Sequence, residues 1–292
     1  MEKHVLFPWN NKPRPFIKWA GGKTQMLSNL ERYFPKSFDT YYEPFLGGGA
    51  VFFHLVHNRP RFNAVLSDAN RELVETYCVV KNQVEELIET LRNHESEYKR
   101  DPRRYYYSVR TESGGSDPIG RAARLIFLNK TCYNGLYRVN KKGQFNVPFG
   151  RFKNPKICDQ RNLRTISKVL VWSNVKLTWL DYQIAIRGSG RGDFIYFDPP
   201  YHPTSSTANF TNYTGSGFSI EEQEQLGLLF RELDERGCQI VLSNSDTHKV
   251  RDIYEGYDIQ TVEVLRAISC RSNKRKGHTE LIISNLDSHV FS

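Results

Sequence analysis

The chain of 292 residues is long enough to bury the core of one large domain or of two unequal ones. Its hydrophobic content of 39% and aromatic content of 13% are typical of a globular protein and exclude an intrinsically disordered chain. An excess of 41 Lys and Arg over 32 Asp and Glu gives a formal charge of +9, which suits a polyanionic partner such as nucleic acid.

The positions of the charged residues and cysteines further limit the class of protein. Nine Lys and Arg but one acid, Asp159, lie between Lys130 and Arg164, which favours a nucleic-acid surface, with a merely solvated basic face as the alternative. Five scattered cysteines without a C-x-x-C pattern indicate neither disulfides nor a metal site. Without a signal-peptide run or about 20 consecutive apolar residues, we expect a soluble, cytoplasmic protein that contacts no membrane.

The first motif in the chain is WAGGKTQM, from Trp19 to Met26, which contains the Gly-Lys-Thr that ends a phosphate-binding P-loop. A P-loop would place its first glycine at position 17, which is Ile17. The preceding residues 12–15, Lys-Pro-Arg-Pro, are also unsuited to the strand that a P-loop follows. Nucleotide-triphosphate binding is therefore disfavoured, and the residues alone leave the role of the segment open.

A glycine turn follows at residues 40–53, TYYEPFLGGGAVFF, which we interpret as a strand, a tight turn and the start of a helix. The next segment, 64–70, is a short apolar strand closed by an acid, Asp68, which lies nineteen residues after Gly49. An acid at that offset can accept hydrogen bonds from a ribose hydroxyl pair. The pattern lacks G-x-G-x-x-G, so S-adenosylmethionine is a better candidate than NAD, and a purely structural turn is the alternative.

The remaining elements alternate between helical and strand patterns. Helical spacing covers 71–100, 121–128 and 220–237, the last closed by a glycine stop signal, and a basic, Asn- and Gly-rich loop occupies 129–155. Strand patterns recur at 175–180, 194–198, 239–244, 259–265 and 280–285. Strands interleaved with helices predict an α/β fold with a mainly parallel sheet, interrupted by an inserted helical and basic domain at about 71–164.

The most specific motif is Asp198-Pro199-Pro200-Tyr201, directly after the apolar strand 194–197. The two prolines stop the strand and stiffen a turn that presents a carboxylate, prolyl carbonyls and an aromatic ring. The amino nitrogen of adenine is a poor nucleophile because its lone pair is delocalised into the ring. Donation of its two N–H groups to Asp198 and the Pro199 carbonyl would free that lone pair for methylation, with Tyr201 stacked on a base flipped out of the duplex. A strand-ending proline turn with a buried tyrosine is the alternative.

These motifs together resemble the D12 class of DNA adenine-N6 methyltransferases, and within it the Dam-type enzymes that modify GATC. The resemblance covers about 15–285 and rests on KWAGGK (18–23), EPFLGGG (43–49), LSDAN (66–70), YNGLYRVN (133–140), GQFNVPFGRFKNP (143–155), DPPY (198–201), TANFTNYT (207–214) and VLSNSD (241–246). It implies a Rossmann-like class I methyltransferase with a mixed sheet. Residues 1–70 and 165–292 would form the cofactor-binding catalytic domain, and 71–164 an inserted target-recognition domain.

The resemblance also implies a role for individual residues. Trp19, Lys23, Phe45, Gly47, Asp68 and Asp198 would bind S-adenosylmethionine, with Lys23 near the cofactor carboxylate, and no metal is required. Lys18, Tyr133, Asn134, Leu136, Arg138 and Arg151 would bind double-stranded DNA. Arg138 would pair with guanine O6 and N7, Tyr133 would wedge into the base stack, Asn134 and Leu136 would contact a groove, and Lys18 would face the first guanine pair. Arg151, like Lys141 and Lys153, would contact phosphates, unless these are solvated loop charges.

The remaining expectations concern two further segments and the competing functions. Phe210 and Tyr213, in the segment 204–219, could close over the flipped base, and the basic stretch 269–278 could contact DNA or form a solvated loop. Methylation of cytosine N4, RNA or a glutamine amide is disfavoured because those families prefer Ser or Asn at the position of Asp198. A different DNA motif and a catalytically silent DNA-binding homologue remain as alternatives, and the sequence leaves open whether the enzyme functions beside a restriction endonuclease.

Overall fold

The computed structural model describes residues 11–59, 61–112, 115–201, 218–264 and 278–286. Phe210, Tyr213 and residues 269–277 of the basic stretch 269–278 lie outside these described residues. The strands are β1 (Thr40–Glu43), β2 (Asn63–Ser67), β3 (Val175–Thr178), β4 (Phe194–Phe197), β5 (Gln239–Ser245), β6 (Asp258–Val264) and β7 (His278–Ser284). The helices are α1 (Leu27–Leu30), α2 (Ala50–Asn58), α3 (Arg71–Asn82), α4 (Val84–Arg100), α5 (Pro102–Thr111), α6 (Pro118–Thr131), α7 (Gln160–Trp172), α8 (Tyr182–Ala185), α9 (Ile220–Glu235) and α10 (His248–Ile253).

The chain divides into two compact units. The first comprises Met1–Gly22, Gly47–Arg61 and Asp68–Trp179, and the second comprises Lys23–Leu46, Phe62–Ser67 and Leu180–Ser292. The predicted functional division, with an insert at 71–164, stays a prediction, since compactness does not report which residues bind cofactor or DNA.

The second unit is built on a mixed sheet with the strand order β2-β1-β4-β5-β7-β6. Strands β2, β1, β4 and β5 run parallel, and β7 pairs antiparallel with both β5 and β6. The predicted α/β fold with a mixed sheet is therefore confirmed. In such a sheet the carboxyl ends of the parallel strands meet at one edge, which is where α/β proteins commonly bind ligands.

Alternating side chains of β4 face opposite sides of this sheet. Ile195 and Phe197 join the core that Leu226, Phe230 and Leu233 of α9 cover. On the other side, Phe194 packs against Phe34, Phe38 and Tyr41, and the Tyr196 hydroxyl lies 2.7 Å from Ser243 Oγ. Because both faces are covered, all four residues of β4 are buried. The strand therefore holds the residues that follow it in a fixed position.

The first unit is mainly helical, and side-chain caps set where its helices begin. Asn70, Asp101, Asp117 and Asp159 each accept a backbone N–H in the first turn of α3, α5, α6 and α7 respectively. Inside the unit, the buried Asn129 side chain of α6 accepts from the Lys18 N–H and donates to the Lys18 and Gly135 carbonyls. This amide ties the segment before residue 22 to the turn after α6.

The helical pattern predicted over 71–100 is divided into α3 and α4 at Gln83, whose φ of −139° and ψ of 42° leave the helical region. No glycine or proline marks this break. The predicted glycine stop after α9 is confirmed, since Gly237 has a φ of 80°. Helices α1, α5, α7, α8 and α10 are additions to the predicted elements.

Candidate functional site

The DPPY turn emerges from the buried strand β4 at the carboxyl edge of the parallel strands. Asp198 continues the alternation of Phe194 and Tyr196, and its Oδ1 pairs with the Lys23 Nζ at 2.7 Å. The Lys23 side chain is only 3% exposed and that of Asp198 is 20% exposed. A buried ammonium requires a charged partner, so this pair fixes the carboxylate at the strand end.

Burial raises the pKa of Asp198 to about 6, because the ionised form loses solvation. The Lys23 ammonium opposes this rise in the Asp198 pKa, and the Glu280 carboxylate adds to it. Asp198 is thus ionised at neutral pH and becomes protonated as the pH falls through about 6. Only the ionised carboxylate is purely a hydrogen-bond acceptor.

Tyr201 is held close to the same ion pair. Its hydroxyl donates to Glu280 Oε2 at 2.7 Å, and the Lys23 Nζ lies 4.8 Å from its ring centroid. Burial, with the nearby Asp198 and Glu280 carboxylates, raises the pKa of Tyr201, so the phenol stays protonated and donates. The predicted catalytic residues Asp198 and Tyr201 therefore lie beside Lys23, and the sequence did not point to Glu280.

The prolines between them are anchored from the sheet. Pro199 is buried, and the Pro200 carbonyl accepts from Gln223 Nε2 at 3.4 Å. Gln223 in turn accepts from the Asn244 Nδ2 at 2.9 Å, and both amide side chains are buried. This chain of hydrogen bonds from β5 through α9 holds the turn in place, which suits a site where orientation determines rate.

In the first unit, the glycine turn, Asp68 and Trp19 lie together. Asp68 Oδ2 accepts the Gly47 N–H at 2.9 Å, and Oδ1 accepts the Asn70 N–H at 2.8 Å. Burial raises the pKa of Asp68 to about 6, and these two N–H groups counteract the rise. Each oxygen of the ionised carboxylate retains a lone pair for a further donor.

Trp19 explains why position 47 is glycine. Gly47 has a φ of 47°, and a Cβ there would lie 2.8 Å from Trp19 Cδ1, closer than van der Waals contact allows. Trp19 also stacks on Tyr137, with ring centroids 5.2 Å apart and planes inclined by 29°. The predicted cofactor residue Phe45 belongs to the second unit, where its ring stacks on Tyr182 at 5.2 Å.

The residues expected to bind DNA lie in the first unit, on or near a short hairpin in which Val139 bridges Phe145 antiparallel. Tyr133 is 41% exposed, and Arg138 and Arg151 are also exposed, whereas Leu136 is half-buried. Arg138 donates from Nε to Asn146 Oδ1 at 2.6 Å and from Nη2 to the Asn146 carbonyl at 3.2 Å. Asn146 was not a predicted site residue.

Two of these residues have an unusual backbone conformation. Asn134 and Arg151 have φ values of 55° and 51°, in the left-handed region that non-glycine residues seldom adopt. Lys18 is exposed, its Nζ lies 4.9 Å from the Phe152 ring centroid, and its backbone is fixed by Asn129. A rigid backbone with exposed basic and aromatic side chains suits contact with a charged polymer.

Among the residues that the structure describes, no group of three or more His, Cys, Asp and Glu side chains is arranged to hold a metal ion. Within the described ranges, no helix has both the length and the apolar character needed to span a bilayer.

Comparison with known proteins gives consistent matches. The family described as D12 class N6 adenine-specific DNA methyltransferase matches residues 19–268. The type II methyltransferase M.MjaIII of Methanocaldococcus jannaschii is 45% identical over 93% of this chain and 99% of its own length. The type II methyltransferase M1.LlaDCHI of Lactococcus lactis subsp. cremoris is 41% identical, and the DNA adenine methylase of Escherichia coli K12 is 35% identical. Both matches cover 93% of this chain and 95% of the relative.

Proposed function

Because this chain belongs to the D12 class of N6 adenine-specific DNA methyltransferases, we propose that it methylates N6 of adenine within GATC in double-stranded DNA, with S-adenosylmethionine as the methyl donor. The observation that carries the catalytic part is the Asp198 carboxylate, held by the buried Lys23 at the end of β4. The similarity to a DNA adenine methylase and the exposed Arg138 hairpin support the GATC part.

The residues present fit S-adenosylmethionine chemically. In the first unit, Asp68 has lone pairs left on both oxygens for ribose hydroxyls, Trp19 offers an aromatic surface, and Gly47 allows close backbone approach. Phe45, in the second unit, stays a predicted cofactor residue. The Lys23 ammonium pairs with Asp198 at 2.7 Å, so we assign its charge to that carboxylate rather than to the cofactor's. When bound, the cofactor supplies an electrophilic methyl group on a positively charged sulfur.

The chain's own residues would act mainly by positioning. Lys23 holds Oδ1 of Asp198, and we assign Oδ2 and the Pro199 carbonyl to the two N–H bonds of the adenine amino group. Acceptance of both N–H hydrogen bonds localises the lone pair on nitrogen, and Tyr201 holds the flipped base by stacking. Once methylated, the amino group releases one of its protons to solvent. Orientation of this kind can supply several of the about 7–11 kcal/mol available from proximity.

We propose that DNA is recognised by residues 71–164 together with Lys18, and that 1–70 and 165–292 carry catalysis. Arg138 would read guanine, and Tyr133 would wedge into the base stack as the adenine leaves. Asn134 and Leu136 would contact a groove, and Arg151 would bind phosphate. We propose that this enzyme acts in the cytoplasm.

The experiment that tests this function compares duplexes that differ by one base pair. Purified protein is incubated with S-adenosylmethionine carrying a labelled methyl group and with a duplex containing GATC or a single-base variant of it. We expect label in adenine of the GATC duplex alone. Equal labelling of both duplexes, or labelling of neither, would overturn the GATC assignment. Absence of label from plasmid DNA of mixed sequence as well would overturn the catalytic assignment.

A second candidate role rests on the two relatives that are named type II methyltransferases. In this role the chain protects DNA from a partner restriction endonuclease. An endonuclease encoded next to this chain's gene would then cut unmethylated DNA and spare DNA methylated by this protein. Cleavage of both substrates would exclude the partnership.

A further inference from the structure

Glu280 lies at the same edge of the sheet as the DPPY turn, although 79 residues separate it from Tyr201. It is on β7, where it pairs with Ser245 at the carboxyl end of β5 and with Val262 of β6. Strand β5 runs parallel to β4, so this pairing brings Glu280 to the end of β4. The Glu280 side chain is 14% exposed, an unusual environment for a carboxylate without a function or a partner.

The Oε2 atom of Glu280 lies close to Tyr201 and Lys23, the two residues beside Asp198. It accepts the Tyr201 hydroxyl at 2.7 Å and lies 4.0 Å from the Lys23 Nζ, which pairs with Asp198 at 2.7 Å. One buried ammonium is thus shared by two carboxylates. The shorter distance shows that, in this structure, Lys23 is bound mainly by Asp198.

We propose that Glu280 is a positioning residue for methyl transfer, which anchors the Tyr201 hydroxyl and serves as the second counter-charge of Lys23 when Asp198 engages the adenine amino group. This inference rests on the proposed function of Asp198 and Tyr201. It assigns to β7 a part in the reaction that the DPPY motif does not contain.

Two physical requirements support this assignment. The prolines fix the backbone before Tyr201, but its ring can still rotate about two side-chain bonds, and a charge-assisted hydrogen bond at the hydroxyl removes that freedom. In addition, a nearly fully buried ammonium is costly without a counter-charge. If Asp198 turns partly toward a substrate, Glu280 is already within reach of Lys23.

The charged and titratable groups around Asp198 lie on several elements. Lys23 precedes α1, Glu280 is on β7, and Tyr196 is on β4. Tyr201 follows β4, and Tyr41 and Glu43 face the site from β1, where the Tyr41 hydroxyl donates to Glu43 at 2.9 Å. Among these groups, Glu280 raises the pKa of Asp198 and Lys23 lowers it, so loss of the Glu280 charge changes a measurable property of Asp198.

Glu280→Gln is the informative variant because its amide oxygen still accepts from Tyr201 while the negative charge is gone. We expect the pKa of Asp198 in the free protein to fall, measured by carboxyl carbon NMR with Asp198→Asn to assign the resonance. Glu263→Gln, which removes an exposed carboxylate from the neighbouring β6, should leave it unchanged. An Asp198 titration that is the same in wild type and Glu280→Gln would overturn the shared-ammonium part of the proposal.

Glu280→Ala and Tyr201→Phe test the anchoring of Tyr201. We expect Glu280→Ala to lower kcat on a GATC duplex about 10- to 100-fold with DNA affinity retained, the range for loss of a hydrogen bond to a charged group. Tyr201→Phe should cost less in the Glu280→Ala background than in wild type. Strictly additive losses would overturn the anchoring. If Glu280→Ala fails to fold, the same cycle is made with Glu280→Leu.

The two readouts separate this proposal from the proposed function. The NMR titration requires no substrate, so it tests the link between Glu280 and Asp198 even in a protein that transfers no methyl group. Absence of methyl transfer by wild type would refute the proposed function, and with it the role of Glu280 in the reaction. An unchanged titration with normal methyl transfer would refute only the inference about Glu280.

Discussion

Replacing Asp198 with alanine removes the carboxylate that accepts from Lys23 at 2.7 Å and that we assign to the adenine amino group. The catalytic loss should be about 10²- to 10³-fold in turnover, equivalent to about 2.7–4 kcal/mol, which is the scale for removal of one preorganised electrostatic partner. DNA affinity should be retained, because the residues assigned to DNA are elsewhere in the chain.

The same change should also lower stability, because the 3% exposed Lys23 loses its nearest counter-charge. Breaking a buried pair in this way typically costs about 3–5 kcal/mol, and Glu280 at 4.0 Å should offset part of it. Asp198→Asn keeps the shape and one acceptor oxygen, so its turnover should lie between those of wild type and Asp198→Ala.

Single-turnover methyl transfer to a GATC duplex measures the chemical step, and fluorescence anisotropy measures DNA affinity. Asp252→Ala is the matched control, since Asp252 is an exposed aspartate whose partner is His248 on α10. Near-normal turnover in folded Asp198→Ala would refute the assigned role. A loss explained entirely by weaker DNA binding would refute it as well.

Three further predictions address acidity, sequence recognition and the glycine turn. The kcat/KM for methyl transfer should fall as the pH drops through about 6, since the raised pKa of Asp198 means that the acceptor carboxylate becomes protonated there; a flat profile between pH 5 and 7 would contradict this. Arg138→Ala should reduce the difference in kcat/KM between GATC and a one-base variant by about 1–3 kcal/mol, whereas Lys141→Ala should lower kcat/KM equally for all sequences. A uniform loss in both variants would mean that Arg138 contacts phosphate and does not read a base. Gly47→Ala should reduce the free energy of unfolding by about 1–3 kcal/mol and weaken cofactor binding, because its Cβ would meet Trp19 at 2.8 Å; unchanged thermal unfolding would contradict the packing argument.

The parts of the fold that the sequence predicted are those determined locally. Strand β4 is a short apolar run closed by two prolines, and α9 ends at Gly237, whose positive φ few other residues tolerate. The break at Gln83 could not be predicted in this way, because the helical pattern continues through it without glycine or proline. Packing in the folded protein overrides local preference at such a position.

In the site, too, residues close together in sequence were predicted, and residues brought together from distant parts of the sequence were not. Asp198, Pro199 and Tyr201 are consecutive or nearly so, and their residue types alone indicate the chemistry. Glu280 reaches Tyr201 only through the pairing of β7 with β5, and Asn129 reaches Lys18 across 111 residues. Neither contact has a spacing that a single sequence reveals, which is why both residues were missed.

The most direct test of the central claim is methylation of a plasmid by the purified protein, mapped base by base. The account predicts N6-methyladenine confined to GATC, and no mark with Asp198→Ala at matched enzyme concentration. Adenine methylation at a different motif would contradict the GATC assignment and leave the chemistry of Asp198 in place. Absence of any methylated adenine with cofactor present would contradict the account of the DPPY turn itself.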